Sequence, residues 1–131
     1  MPEEHLKTLA EGHAAFNRGD RAWASIAAAP DVEWETTGAF PGMNKVYRGP
    51  DAIGEWMDVL LVEWESFDVS LEEVLREEEN TLVVVERLRG RGRESGAEAE
   101  MRVYAVYRFN ADGKIYSRKA FTGAEEALAA L

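Results

Sequence analysis

The sequence contains no cysteine and only two histidines, His5 and His13. Without cysteine there is no disulfide, no thiolate nucleophile and no cysteine-ligated metal. Two isolated histidines lack the spacing of metal ligands, so we expect no metal. The glycines of residues 90–92 lie in a predicted hairpin and not between a strand and a helix, so they do not form a phosphate loop, and we expect no cofactor. The lack of cysteine is compatible with a reducing compartment, and we expect a cytoplasmic protein.

Basic residues and long apolar runs are also scarce. The chain has 15 Lys and Arg against 25 Asp and Glu, a net charge of −10. This balance disfavours a nucleic-acid or anionic membrane surface. No apolar run approaches the roughly 20 residues of a membrane helix, and the acidic, polar residues 1–5 are unlike a signal peptide. His5, near this end, is expected to be exposed. We therefore expect neither nucleic acid nor membrane as a partner.

The 131 residues are enough for one domain, residues 1–131, with a real core. Apolar periodicity and turn residues predict helices at residues 3–17, 21–29, 52–64 and 124–131. They predict strands at residues 32–36, 45–48, 67–75 and 115–121. Helices that precede an antiparallel meander indicate an α+β fold, in which helices cover the apolar face of a curved sheet.

A long hairpin organises the second half of the chain. Its arms are residues 81–91 and 98–109, joined by a polar turn that contains Gly96. If Arg89 pairs with Glu100, and residue 91 with residue 98, opposite charges meet across the strands. This register places Glu86 on an otherwise apolar face. A slip of one residue would send Glu86 to the outer face instead.

Four segments, in order and spacing, make the chain resemble a known superfamily. They are residues 15–20, which end the first helix, residues 30–34, which open the sheet, residues 47–53, which lead into a helix, and the closing hairpin at residues 107–115. The chain resembles the SnoaL-like proteins of the nuclear transport factor 2-like superfamily, relatives of ketosteroid isomerases and polyketide cyclases. The resemblance implies a cone-shaped fold: a curved sheet around a helix, a pocket inside, and commonly a homodimer.

The best-known active sites of that superfamily do not carry over. The resemblance puts the isomerase tyrosine at Gly12, its oxyanion aspartate at Ala105 and its carboxylate base at or near Trp34. The aspartate that many SnoaL-like chains have after the first-strand tryptophan falls on Thr36. The cyclase Asp/His pair falls near Ala105 and Ala120. None of these residues can fill the expected role.

Glu86 and His13 are therefore the candidate catalytic residues. A carboxylate on an apolar face is desolvated, which raises its pKa and suits it to acid–base work. His13 lies on or beside the apolar stripe of the first helix, and imidazole titrates near neutrality. The alternatives are a Glu86 in solvent or in a structural pair with Arg118, and a core His13 bonded to backbone. Glu35 replaces the missing base only if the first strand is shifted.

The candidate ligand-binding residues are mostly aromatic or apolar, as expected of a hydrophobic pocket. Arg118 either faces this pocket and binds an anionic group or lies outside, with Lys119 inward. We expect a protein that binds a hydrophobic small molecule, as a cofactor-independent isomerase, cyclase or lyase or as a non-catalytic binding or dimerisation module. Residues 83, 85, 104 and 106 predict an apolar outer strip and a homodimer through it. The candidate ligand-binding residues are Trp34, Phe40, Trp56, Leu60, Val103, Ala105, Tyr107 and Arg118.

Overall fold

The computed structural model of the protein describes residues 2–20, 27–36 and 46–131. These ranges contain three helices and six strands. The helices are α1 (Pro2–Asn17), α2 (Pro50–Glu63) and α3 (Ala124–Ala129). The strands are β1 (Ala28–Glu35), β2 (Val46–Arg48), β3 (Trp64–Glu78), β4 (Thr81–Gly92), β5 (Glu98–Phe109) and β6 (Ile115–Phe121).

The six strands form one sheet in the order β2-β1-β6-β5-β4-β3. Every neighbouring pair is antiparallel except β1 and β6, which run parallel. The α+β class and the helix-covered sheet are confirmed, and the parallel pair is a departure from a purely antiparallel sheet. In this pair the last strand, β6, lies beside β1, which is the first strand of the chain.

Several predicted boundaries were wrong. Most of the predicted helix at residues 21–29 lies outside the described residues, but its last two residues belong to β1, which starts at Ala28. Trp64 is the first residue of β3 and not the last residue of α2. Strand β3 extends to Glu78, because a solvent-facing strand tolerates the charged residues that were predicted to form a turn. His5 is buried and stacks on Phe109, so the expectation of an exposed His5 was also wrong.

The main core lies between the sheet and helices α1 and α2. Apolar residues of the helices, such as Phe16 and Trp56, pack on alternate residues of the central strands, such as Val84 and Val103. This one-sided alternation is what places a cavity under the helices. Among the described residues, no helix has the length and apolar character needed to cross a membrane.

The opposite face of the sheet is covered in part by the short helix α3. Val83 and Val106 are fully buried there with Ala127, and Val85 is also buried. This explains the continuous apolar run of residues 82–85, because β4 has apolar neighbours on both of its faces. The predicted apolar outer strip was therefore wrong as an exposed surface, since the chain's own C-terminal helix packs against it.

The hairpin register is the one that pairs opposite charges. Arg89 lies opposite Glu100, and Glu86 lies opposite Val103. The row of residues 82, 84, 86 and 88 consequently points into the main core, and all four side chains are buried. The register with Glu86 on the outer face is thus excluded.

Two polar contacts hold the helices over the concave face, and one glycine allows close packing between β3 and β4. The Asn17 side-chain amide donates to the carbonyl of Val69 and accepts from its N–H, both at 2.8 Å, which fastens the end of α1 to β3. Arg93 donates to the Leu61 carbonyl at 2.9 Å and so ties the hairpin turn to α2. A Cβ on Gly90 would lie 2.5 Å from the Trp64 ring, so only glycine lets that ring pack flat on β4.

Candidate functional site

A carboxylate lies in the middle of the apolar concave face. Glu86 has 1% of its surface exposed and sits in β4 between Val84 and Leu88 on the same side of the strand. Because side chains alternate along a strand, the Glu86 side chain faces the core on the same side as residues 84 and 88. A buried charge is costly unless it is paired and hydrogen-bonded, so its partners decide what the site can do.

Two donors contact the same oxygen of Glu86. His13 Nε2 lies 2.6 Å from Oε2, and the Tyr107 hydroxyl donates to Oε2 at 2.6 Å. Helix α1 supplies His13 from above, and β5 supplies Tyr107 from beside β4. These distances are short even for bonds to a charged acceptor. The carboxylate is therefore held tightly by two different elements of the fold.

The pKa of Glu86 is lowered from its ordinary value. Burial alone raises this pKa, but the hydrogen bond and charge of His13, the charge of Arg118 and the hydrogen bond from Tyr107 together outweigh burial. The expectation of a raised pKa was wrong, because it considered the apolar surroundings without these three partners. Glu86 is thus an ionised acceptor at neutral pH. The pKa of Tyr107 is raised well above its ordinary value by burial and by the nearby Glu86 charge, so the phenol stays protonated.

The ionised state of Glu86 sets the tautomer of His13. A carboxylate only accepts hydrogen bonds, so the 2.6 Å contact requires a proton on His13 Nε2. In the neutral imidazole the acceptor is then Nδ1. The His13 side chain is 13% exposed, so it is the member of the pair that reaches toward solvent. A histidine oriented by a carboxylate is an arrangement suited to proton transfer.

Arg118 lies on the opposite side of the carboxylate. It is buried, faces inward from β6, and has a guanidinium nitrogen 3.7 Å from Glu86 Oε1. Its guanidinium carbon lies 4.5 Å from the centre of the Trp34 ring, a cation–π distance. The sheet brings these residues together because Arg118 is the register partner of both Trp34 and Tyr107.

These groups line a narrow cavity under the helices. Only about 30 Å³ of the cavity is open to the centre of a water molecule, room for about two waters. Its walls are aromatic and apolar apart from the four polar groups already described. The residues that line it are His13, Phe16, Trp34, Trp56, Phe67, Val69, Glu86, Leu88, Tyr107 and Arg118.

A family model for the SnoaL-like domain matches residues 9–118, most of the chain. The protein belongs to the SnoaL-like domain family. A comparison with curated protein sequences gives no match.

Solved structures share the fold of this SnoaL-like domain over nearly its whole length. TerC, co-crystallised with polyporic acid, is 17% identical with a TM-score of 0.78, and 96% of each chain is covered. An NTF2-like protein from Burkholderia thailandensis E264 is 29% identical with a TM-score of 0.74, covering 95% of this chain and 96% of the other. Rv0760c from Mycobacterium tuberculosis, in complex with estradiol-17beta-hemisuccinate, is 18% identical with a TM-score of 0.75, covering 93% and 95%.

The structure brings together six of the residues singled out from the sequence. Of the remaining candidates, Leu60, Val103 and Ala105 are buried in the core and do not line this cavity. Phe40 lies outside the described residues. The six that line the cavity are His13, Trp34, Trp56, Glu86, Tyr107 and Arg118.

Four lining residues of the SnoaL-like domain were missed. Leu88 and Phe16 carried a usable signal, since Leu88 shares the face of Glu86 and Phe16 ends the apolar stripe of α1. The signal for Phe67 and Val69 was weaker. The predicted β3 was shorter than the observed strand, so its pairing with β4 could not be predicted. Within the described ranges, no group of three or more His, Asp or Glu side chains is placed to hold a metal ion.

Proposed function

We propose that this SnoaL-like domain binds a hydrophobic small molecule in the cavity and moves a proton on it through His13, with Glu86 orienting the imidazole. The observation that carries the proposal is the 2.6 Å contact between His13 Nε2 and a buried, ionised Glu86. A lowered pKa makes the carboxylate itself a poor base, so the proton acceptor is the Nδ1 atom of His13.

The walls of the cavity support a hydrophobic ligand. Trp34, Trp56, Phe16 and Phe67 present aromatic surface beside a small number of polar groups, the usual composition of small-molecule sites. Two structural neighbours support this class of ligand, since one was crystallised with polyporic acid and another with a steroid hemisuccinate. The cavity is narrow, so a ligand of that size requires side chains to move apart.

The reaction class follows from the available groups. Isomerisation, aldol-type cyclisation and elimination next to a carbonyl can each start when a base takes a proton from carbon, and none of them requires a cofactor when the carbanion is stabilised. His13 supplies the base, and Arg118 supplies a positive charge near the position where negative charge develops. We therefore propose a cofactor-independent isomerase, cyclase or lyase.

The proposal is tested with 2-tetralone, a hydrophobic ketone whose protons next to the carbonyl exchange with D2O. NMR measures that exchange with and without protein. The wild type should accelerate exchange, and His13→Gln should reduce the acceleration by about 10²–10⁴-fold, the usual contribution of general acid–base catalysis. His5→Gln is the matched control, because His5 stacks on Phe109 away from the cavity and should leave exchange intact.

The second candidate is a binding module without chemistry. It is favoured by the narrow cavity and by a carboxylate already engaged by three partners. Under this reading 2-tetralone quenches tryptophan fluorescence on binding, because Trp34 and Trp56 line the cavity, but its exchange rate stays at the solvent value. Binding without exchange would reject proton transfer and leave this second function.

Two wider expectations remain proposals. We retain a homodimer, now resting on the family resemblance alone, since α3 packs against the apolar outer residues 83 and 106. We also retain a cytoplasmic location, which rests on the lack of cysteine. Light scattering during size-exclusion chromatography tests the first, and a monomer at micromolar concentration would contradict it.

A further inference from the structure

We infer that Arg118 receives an anionic oxygen of the ligand, so that the site selects compact hydrophobic carboxylates over neutral molecules of the same shape. This inference deepens the proposed function and rests on the same cavity. It names the chemical class of the ligand, which the proton-transfer pair alone leaves open.

The hydrogen-bonding capacity of Arg118 is only partly used, although its guanidinium also hydrogen-bonds the Tyr107 hydroxyl. A guanidinium carries five N–H donors, and this one is only 2% exposed. One terminal nitrogen donates to the Glu35 carbonyl at 3.5 Å, and the other lies 3.7 Å from Glu86 Oε1. Among the described residues Nε has no hydrogen-bond partner. Ordinary charge-assisted bonds measure about 2.7–2.9 Å, so both terminal contacts are long.

Glu86 does not neutralise Arg118 closely. Its short bonds, at 2.6 Å, go from Oε2 to His13 and Tyr107, whereas Arg118 faces the other oxygen at 3.7 Å. The position of the carboxylate is fixed by two other elements of the fold and not by the arginine. A buried guanidinium with an unpartnered Nε and two long terminal contacts favours an additional anion, since a carboxylate fits its planar fork in bidentate fashion.

The surroundings of Arg118 define the rest of the ligand. Its guanidinium lies on the face of Trp34, and Trp56 and Phe16 complete an aromatic wall around the cavity. A flat ring with a directly attached carboxylate meets both features at once. The small free volume disfavours long-chain acids. The class that matches these groups is an aromatic or alicyclic acid about the size of benzoate, which enters when the side chains around the cavity move apart.

The inference is tested with benzoate and benzyl alcohol, two probes of similar size that differ in charge. Quenching of tryptophan fluorescence gives the dissociation constant of each at neutral pH and fixed ionic strength. Wild-type protein should bind benzoate at least about ten-fold more tightly, the effect of one charge-assisted hydrogen bond. Equal affinities, or no benzoate binding at millimolar concentration, would overturn the inference without any variant.

Arg118→Gln should abolish the preference for benzoate, and Arg118→Lys should keep part of it, because lysine retains the charge but not the fork. Near-ultraviolet circular dichroism checks that each variant is folded. Arg108→Gln is the matched control: it removes the same charge from an arginine that donates to the Ala130 carbonyl instead. A preference that survives Arg118→Gln in folded protein would reject Arg118 as its source.

The two proposals fail in different ways. His13→Gln should stop the exchange of 2-tetralone, whereas the preference for benzoate is measured on the wild type and is removed by Arg118→Gln. If the wild type prefers benzoate but does not accelerate the exchange of 2-tetralone, only the proton-transfer proposal is rejected. If the wild type accelerates exchange but does not prefer benzoate, only the anion-site inference is rejected.

Discussion

Two of the arginine–glutamate pairs in the described structure differ in both geometry and environment. On the outer face, Arg102 contacts Glu72 with two hydrogen bonds, at 2.7 and 3.0 Å, with side chains 52% and 33% exposed. On the concave face, Arg118 and Glu86 lie 3.7 Å apart, with side chains 3% and 2% exposed. The pair with the better geometry lies in water, and the pair with the poorer geometry is buried.

The comparison shows that distance alone is a poor measure of importance. Solvent screens the outer pair, and such pairs contribute little to stability. The buried pair has no comparable screening, so removing either partner leaves an uncompensated charge in the core. The buried Arg118 keeps an Nε without a hydrogen-bond partner among the described residues, whereas two donors of Arg102 are occupied by Glu72. The outer pair is thus a solvated structural contact, and the inner pair is a candidate site.

The largest expected effect comes from removing the inner carboxylate. Glu86→Gln keeps the shape but removes the charge that compensates Arg118, so the free energy of unfolding should fall by about 3–5 kcal/mol. Glu72→Gln is the outer counterpart and should leave stability close to wild type. Urea unfolding measures both. Equal effects for the two variants would break the comparison.

The tyrosine that holds the inner carboxylate should give the next largest effect. Tyr107→Phe deletes a buried hydrogen bond to a charged acceptor, and the free energy of unfolding should fall by about 1.5–3 kcal/mol. Tyr104→Phe is the matched control on the same strand, facing the outer side of the sheet. A loss from Tyr104→Phe as large as that from Tyr107→Phe would contradict the assignment of Tyr107 to the site.

Acid titration tests the ionisation of the inner carboxylate. The pKa of Glu86 in the folded protein lies below its unfolded value, so its stabilisation is present above the unfolded pKa and is lost as pH falls through the folded pKa. Stability of the wild type should therefore decline as pH falls below about 4.5. Glu86→Gln should show a shallower decline in urea unfolding at several pH values. Parallel declines in the two proteins would show that Glu86 is not the titrating group.

The smallest expected effect concerns salt. Arg102→Gln should lower stability only slightly, and the difference from wild type should vanish at about 1 M ionic strength, where the screening length is about 3 Å. The effect of Arg118→Gln should persist in the same salt, because the buried pair is shielded from ions. Unfolding experiments with and without added salt measure both differences. If salt also removed the effect of Arg118→Gln, Arg118 would be a screened contact like Arg102.

Part of the fold and site could be predicted from the sequence, because local rules determine that part. Strand alternation and cross-strand charge pairing put Glu86 inside, and the periodicity of α1 put His13 near the same face. Alternation could not choose between Arg118 and Lys119, because that choice depends on how β1 pairs with β6. The lowered pKa of Glu86 could not be foreseen either. It depends on three partners from α1, β5 and β6 that only the tertiary structure brings together.

The proposed function depends on an ionised Glu86 that holds the Nε2 proton of His13. Long-range ¹H–¹⁵N correlation NMR measures it directly, and assignment is simple because His5 is the only other histidine. At a pH where the imidazole is neutral, we predict a protonated Nε2 and an unprotonated Nδ1 for His13, with a downfield Nε2 proton that Glu86→Gln shifts or removes. A proton found on Nδ1, or an Nε2 signal unchanged in Glu86→Gln, would show that Glu86 does not orient the His13 imidazole.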